Sequence, residues 1–173
     1  MDLLTFAGSA RGKGLPRDSE VYAIRHPLDD TAAAFHGLRR EGWRAWDAWR
    51  TAKIIERANA EILAGRLAIV RIPDDSPDLS WLDQTDEQMG HGFKRQAKAE
   101  RERAERDGCW GIAAYVRISP NEEWEQADSI WGIIGDDCFG ASGYEADILK
   151  SGLDLLAKLE ANKCPTCGHS RKA

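Results

Sequence analysis

Apolar residues recur along this chain with two different periods, and each change of period marks an element. From Trp43 to Ala64 the period is helical. At 100° per residue Ile54, Ile55, Ala58 and Ile62 share one side, the expected buried face. Trp46, Arg50, Lys53 and Arg57 line a different side, at i, i+4, i+7 and i+11, and Trp49 lies almost opposite Ile62. One buried face cannot take Trp43, Trp46 and Trp49 together. Either a second layer covers them or they wait for a partner. Gly65 supplies the helix stop.

The period then shortens. Leu67 to Ile72 is an apolar run closed by Pro73, which predicts a strand. Cys109 to Ile118 alternates, with Trp110, Ile112, Ala114, Val116 and Ile118 on one face, and Ala127 to Ile134 returns as a second strand. The turn Ser119-Pro120-Asn121-Glu122-Glu123 joins them into an antiparallel hairpin. Ser142 and Glu145 then form a capping box, and Ile148, Leu149, Leu153, Leu156 and Leu159 make one stripe of a helix that should lie across the hairpin. Trp131 is expected to fill a core position facing Leu149 and Leu153, so its loss should cost about 3–5 kcal/mol.

Upstream, Val21 to Arg25 predicts a short strand, and Asp29 or Asp30 caps a helix opening at Thr31. Asp74 to Asp78 reads as a loop and Leu79-Ser80-Trp81-Leu82 as a short apolar anchor. Phe93 to Arg106 is a helix polar almost all round, held by i,i+3 and i,i+4 charge pairs and packed weakly along one edge. The fold class is therefore α+β: a small, mostly antiparallel sheet packed by a C-terminal helix, with an N-terminal helical layer. The chain divides into a loose arm over 1–19, a helical region over 20–66, an α+β core over 67–163 and a Cys-x-x-Cys tail over 164–173.

Composition narrows the class. Hydrophobic residues make up 42% of 173, enough for one real core. Runs such as Leu67 to Val70 are far too short to span a bilayer, so no membrane association is expected. The start, Met1-Asp2-Leu3-Leu4, shows no secretory signal, and the four cysteines are scattered. Both features predict a reducing compartment and a cytoplasmic location. Net charge is −5 but uneven. Basic residues slightly outnumber acids up to Arg66, whereas Cys109 to Lys163 is clearly acidic. Two solvated faces explain this, and so does an acidic surface that meets a basic partner.

Candidate chemistry is sparse. Cys164-Pro165-Thr166-Cys167 has the spacing of one zinc knuckle, with His169 as a third ligand. A fourth must come from Cys138, Cys109, His91 or another subunit, and a frayed tail with two free thiols is the plainer alternative. Zinc is the one cofactor this pattern admits. A redox role wants the first cysteine at a helix N-terminus, whereas this pair follows a helix end.

The Trp46, Trp49, Arg50, Lys53, Arg57 side suits phosphates and bases, or an acidic protein surface. It also reads as an ordinary solvated helix face. The overall acidic balance weakens direct nucleic-acid binding. Glu122, Glu123 and Asp128 could meet a basic partner by imitating phosphates. Asp136 and Asp137 could do the same or hold a divalent cation, although paired acids in a loop usually just lead a helix. No nucleophile–base pair, complete metal set or phosphate loop is present, so a non-enzyme is expected.

Two patches resemble a known group. Asp78-Leu79-Ser80-Trp81-Leu82 is similar to a D-L-S-Y/W-L segment, and Asp128-Ser129-Ile130-Trp131-Gly132-Ile133-Ile134-Gly135 to a D-S-L-W-G-I-x-G strand. Both recur in small uncharacterised proteins of bacteriophages and mobile elements. The resemblance spans roughly Leu67 to Glu160 and leaves out the N-terminal helices and the Cys tail. It implies no catalytic residue. It does imply a habitat in which proteins of this size act by binding, some of them blocking host defences of the CRISPR or restriction type. The expected function is thus a non-enzymatic accessory protein that binds a host protein or protein–nucleic-acid complex. The alternative is a zinc-stabilised nucleic-acid-binding module.

Overall fold

A computed structural model of the chain describes residues 15, 20–22, 31–40, 42–119, 121–135 and 144–163. The α+β class holds. The strands β1 (Glu20–Tyr22), β2 (Leu67–Pro73), β3 (Cys109–Val116) and β4 (Glu125–Ile134) form one antiparallel sheet in the order β1-β2-β3-β4. The helices are α1 (Thr31–Arg40), α2 (Ala45–Leu63), α3 (Asp86–Met89), α4 (Phe93–Asp107) and α5 (Tyr144–Ala161). The capping residues proposed for α1 and α5, Asp29, Asp30 and Ser142, lie outside the described residues.

One face of the sheet carries the main core. Leu67 and Ile69 of β2, Ile112, Ala114 and Val116 of β3, and Ile133 of β4 meet Ile55, Ala58 and Ile62 of α2 and Ile148, Leu149, Leu153 and Leu156 of α5. The stripes legible in the sequence are therefore the stripes that pack. Helix α5 comes closest to the sheet at Gly152, where a Cβ would lie 2.6 Å from Leu67 Cδ1.

The opposite face buries Ala68, Val70, Ala113, Tyr115 and Trp124, with Leu15 and Ile72 packed against them. At its far end Ala104 of α4, Cys109, Ile134 and Leu79 form a separate cluster. Leu79 is thus part of a real anchor, continued by the buried Leu82 in the 3-10 turn Ser80–Asp83. The helix α4, polar almost all round, buries only Ala97 and Ala104, as its charge predicts.

Helix ends follow local chemistry. Gly42 has φ +90°, and the N–H groups of Gly42 and Trp43 return to Arg39 and Leu38 carbonyls, which turns α1 into α2. Gly65, at φ +67°, ends α2: its N–H donates to Ile62 O while Arg66 N–H donates to Glu61 O, the paired pattern of a Schellman stop. The short helix α3 has a full capping box, Thr85 with Gln88.

The strand β4 corrects one expectation. Its pairing with β3 slips twice, between Trp110 and Ile112 and between Ala114 and Tyr115. Each slip inserts one extra residue into β4. Ala127, Ile130 and Ile133 consequently share the main-core face at a spacing of three instead of two. Gly132, at φ +74°, supplies the left-handed residue of one bulge. Trp131 is thrown to the opposite face and lies across Gly111, half exposed at 50%. It does not face Leu149 and Leu153. Trp110 is only partly buried and is stacked under the Arg71 guanidinium at 3.6 Å.

Candidate docking surface

Helix α2 has three sides. Small residues let it approach its neighbours closely: Ala48 and Ala52 pack with Leu38 of α1, and Ala58 packs in the main core. Trp43 sits partly buried against the α1 cluster. The remaining side holds Trp46, Trp49, Arg50, Lys53 and Arg57, which fall within about 100° of one another round the helix. All five are exposed.

Trp46 is 65% and Trp49 45% exposed, and their rings stack on each other at 5.4 Å with planes 22° apart. No second layer among the described residues covers them. Stacking hides one ring face of each indole and leaves the others in water. Lys53 pairs with Glu56 at 2.8 Å, an exposed contact of small value. Arg50 and Arg57 have no ion-pair partner among the described residues.

A cleft of about 310 Å³ opens beside this side, between α2 and the start of α5. Trp43, Thr51, Ile54 and Ala146 line it together with Asp47, Arg50, Asp147 and Lys150, the last ion-paired with Asp154 at 3.2 Å. Arg50 belongs both to the cleft and to the tryptophan side.

The acidic candidates divide. Glu122 takes a 2.8 Å ion pair from Lys163. Asp128 accepts from Ser129 N–H and from Ser151 Oγ, which ties β4 to α5. These two are packing contacts. Glu123 is exposed. Asp136 and Asp137 lie outside the described residues, as do Cys138, Cys164, Cys167 and His169. Of the fourth zinc ligands considered, Cys109 fits poorly. Burial, helped by Asp74, pushes its thiol above the ordinary value, which disfavours the thiolate a metal needs. His91 is exposed, and among the described residues no three His, Cys, Asp or Glu side chains converge.

Sequence reading missed how the segments 78–82 and 128–135 meet. Asp74 Oδ2 accepts from Gly132 N–H at 3.1 Å, and Asp74 N–H donates to Cys109 O. The Asp78 carbonyl then lies against Gly132. The Ser80 side chain and, at 3.0 Å, the Ser80 N–H both hydrogen-bond the Asp78 carboxylate, which holds it below its ordinary range. Both motifs thus build one seam, and each leaves its tryptophan, Trp81 and Trp131, exposed. The only sequence signal was the pair of glycines, Gly111 and Gly132.

Comparison with known protein families, with curated proteins and with solved structures finds no match for this chain. No helix among the described residues is long and apolar enough to cross a membrane.

Proposed function

We propose that this chain is a non-enzymatic binding protein that docks on a host protein through the outer side of α2, in the manner of a phage or mobile-element accessory protein. One observation carries the reading: Trp46 and Trp49 stand stacked in solvent beside Arg50, Lys53 and Arg57. Tryptophan and arginine dominate interface hot spots, because a large ring loses much water-exposed area on docking and a guanidinium then gains a dry partner. The fold does not need these five side chains. The core faces of α2 are filled by smaller residues.

The acidic loops support docking less well, since Glu122 and Asp128 already have partners within the chain. The motif resemblance directs the search to host defence complexes. The test is affinity capture from bacterial lysate with wild type and with a Trp46→Ala/Trp49→Ala double variant shown by circular dichroism to be folded at the capture temperature. A host protein held by wild type and lost by the variant supports the reading. An identical set of captured proteins from both refutes it.

A further inference from the structure

We infer that the cleft between α2 and α5 is the anchor pocket of this docking surface and takes one large apolar side chain of a protein partner, flanked in that partner by an acidic and a basic residue. The inference rests on the docking reading above and narrows it to a chemistry. Three observations converge.

The first is size. About 310 Å³ is at the lower end of small-molecule pockets and matches one large side chain better than a cofactor. The second is lining. Trp43, Ile54, Ala146 and the methyl of Thr51 offer apolar contact, so the occupant's buried part must be apolar too. The third is the rim. Asp47 and Arg50 stand three residues apart on α2, and Asp147 and Lys150 stand three apart on α5. Each helix thus brings one carboxylate and one cation to the same opening, and Lys150 also holds an exposed, low-value ion pair with Asp154 at 3.2 Å.

A rim of both signs decides between partner classes. Nucleic acid brings a continuous row of phosphates, which Asp47 and Asp147 would repel at the distances that Arg50 and Lys150 would attract. A uniformly acidic or basic protein surface meets the same conflict. A segment with one acid and one base on either side of an anchor satisfies both. Arg50 links the pocket to Trp46 and Trp49, so anchor and flanking contacts can form together. Interfaces commonly bury an anchor side chain near the centre and ring it with contacts that exclude water.

The test uses the tripeptide Ac-Glu-Trp-Lys amide, followed by amide chemical shifts of the full chain. A single indole anchor should bind with a Kd of about 1 mM. The shifts should be confined to residues 43–54 and 144–150. The alanine counterpart, Ac-Glu-Ala-Lys amide, should bind at least roughly tenfold more weakly, because it forfeits the apolar burial. Ala146→Phe should plug the cleft and abolish the shifts. Arg50→Glu, on an exposed position that the fold tolerates, should weaken binding several-fold if Ala146→Phe proves unstable. Trp81→Ala should leave binding unchanged.

Tripeptide binding that is insensitive to both cleft variants overturns the inference. So does a thymidine oligonucleotide that moves the same amides when the peptide does not. If the tripeptide fails while Trp46→Ala/Trp49→Ala still abolishes capture of a host protein, the pocket assignment falls and the docking reading stands.

Discussion

Helix α5 rests on the sheet at Gly152, and the contact is close enough to predict a sign. An added Cβ would lie 2.6 Å from Leu67 Cδ1, 3.4 Å from Ala114 Cβ and 3.8 Å from Val116 Cγ1. The first distance is about 1 Å inside ordinary carbon–carbon contact. Leu67 is 2% exposed, while Ala114 and Val116 are fully enclosed, so nothing nearby can swing into solvent. Two effects compete in Gly152→Ala. Helix propensity favours alanine by about 1 kcal/mol. Overpacking costs about 1–3 kcal/mol. The overlap is with buried carbon, so overpacking wins, and the net loss should be about 1 kcal/mol. Gly152→Val, with two more carbons at the same point, should lose about 3 kcal/mol.

A second substitution turns this into a test of contact. Leu67→Ala alone removes the clashing methyl and leaves a cavity, at a cost of about 2–5 kcal/mol. In the double variant the new Cβ at 152 enters the space that Leu67 vacated. The two losses should then fail to add, with a favourable coupling of about 1–2 kcal/mol. Urea unfolding followed by far-ultraviolet circular dichroism gives all four stabilities, provided the m-value stays constant. The reasoning is refuted if Gly152→Ala stabilises by the whole helix-propensity gain. It is equally refuted if the coupling lies within about 0.3 kcal/mol of zero.

Four further outcomes are expected. Trp131→Ala should cost only about 1–2 kcal/mol in urea unfolding, well under the cost for a buried ring, because Trp131 is half exposed; a larger loss would return it to the core. Trp46→Ala/Trp49→Ala should cost no more than about 1.5 kcal/mol, the worth of their mutual stack, while blue-shifting the mean tryptophan emission, since it deletes two solvent-exposed indoles. Burial raises the pKa values of the Cys109 thiol above 9.0 and the Tyr115 hydroxyl above 10.0, so the fold favours their neutral forms. Their contribution is complete below those ordinary values and is lost as pH rises through the raised ones; the melting temperature should fall above about pH 9, and Tyr115→Phe should flatten the fall at the expense of the 3.0 Å hydrogen bond to Gln126. Any zinc held by Cys164 and Cys167 should be unaffected by Cys109→Ala in elemental analysis, and a drop in metal content would place that buried thiol among the ligands.

The helices were legible because their signals are local. The Ile54, Ile55, Ala58, Ile62 stripe and the Ile148 to Leu156 stripe both pack where their period puts them. Gly65 stops α2 by a backbone pattern that needs only five neighbouring residues. Arithmetic showed that one helix face could not hold three indoles, but a covering second layer stayed open in the sequence, and only the structure leaves Trp46 and Trp49 exposed. Strand β4 defeated the same logic. Strict alternation puts Trp131 on the face of Ile133, but the bulge at Gly132 reverses that parity. A bulge is chosen by what lies across the sheet, here Gly111 with no side chain to obstruct the ring. The Arg71–Trp110 and Arg117–Trp124 stacks were invisible for a related reason: each joins residues from segments that only the folded sheet brings together. The cleft was likewise hidden, because Asp47 and Asp147 are neighbours only across packed helices.

The placement of small residues on α2 explains why its tryptophans are outside. Ala48, Ala52 and Ala58 are fully enclosed, so α1 and the sheet core approach the α2 backbone too closely for an indole. Any large ring on this helix must go to the side that neither neighbour reaches. Folding alone is served there by lysine or glutamate, which cost nothing to hydrate. Two indoles instead leave apolar area in water and gain only one mutual stack, about 0.5–1.5 kcal/mol, in return. Their remaining free energy is released only when another surface covers them. On the docking reading proposed above, the rim of Asp47, Arg50, Asp147 and Lys150 beside them would favour a surface that brings charge of both signs.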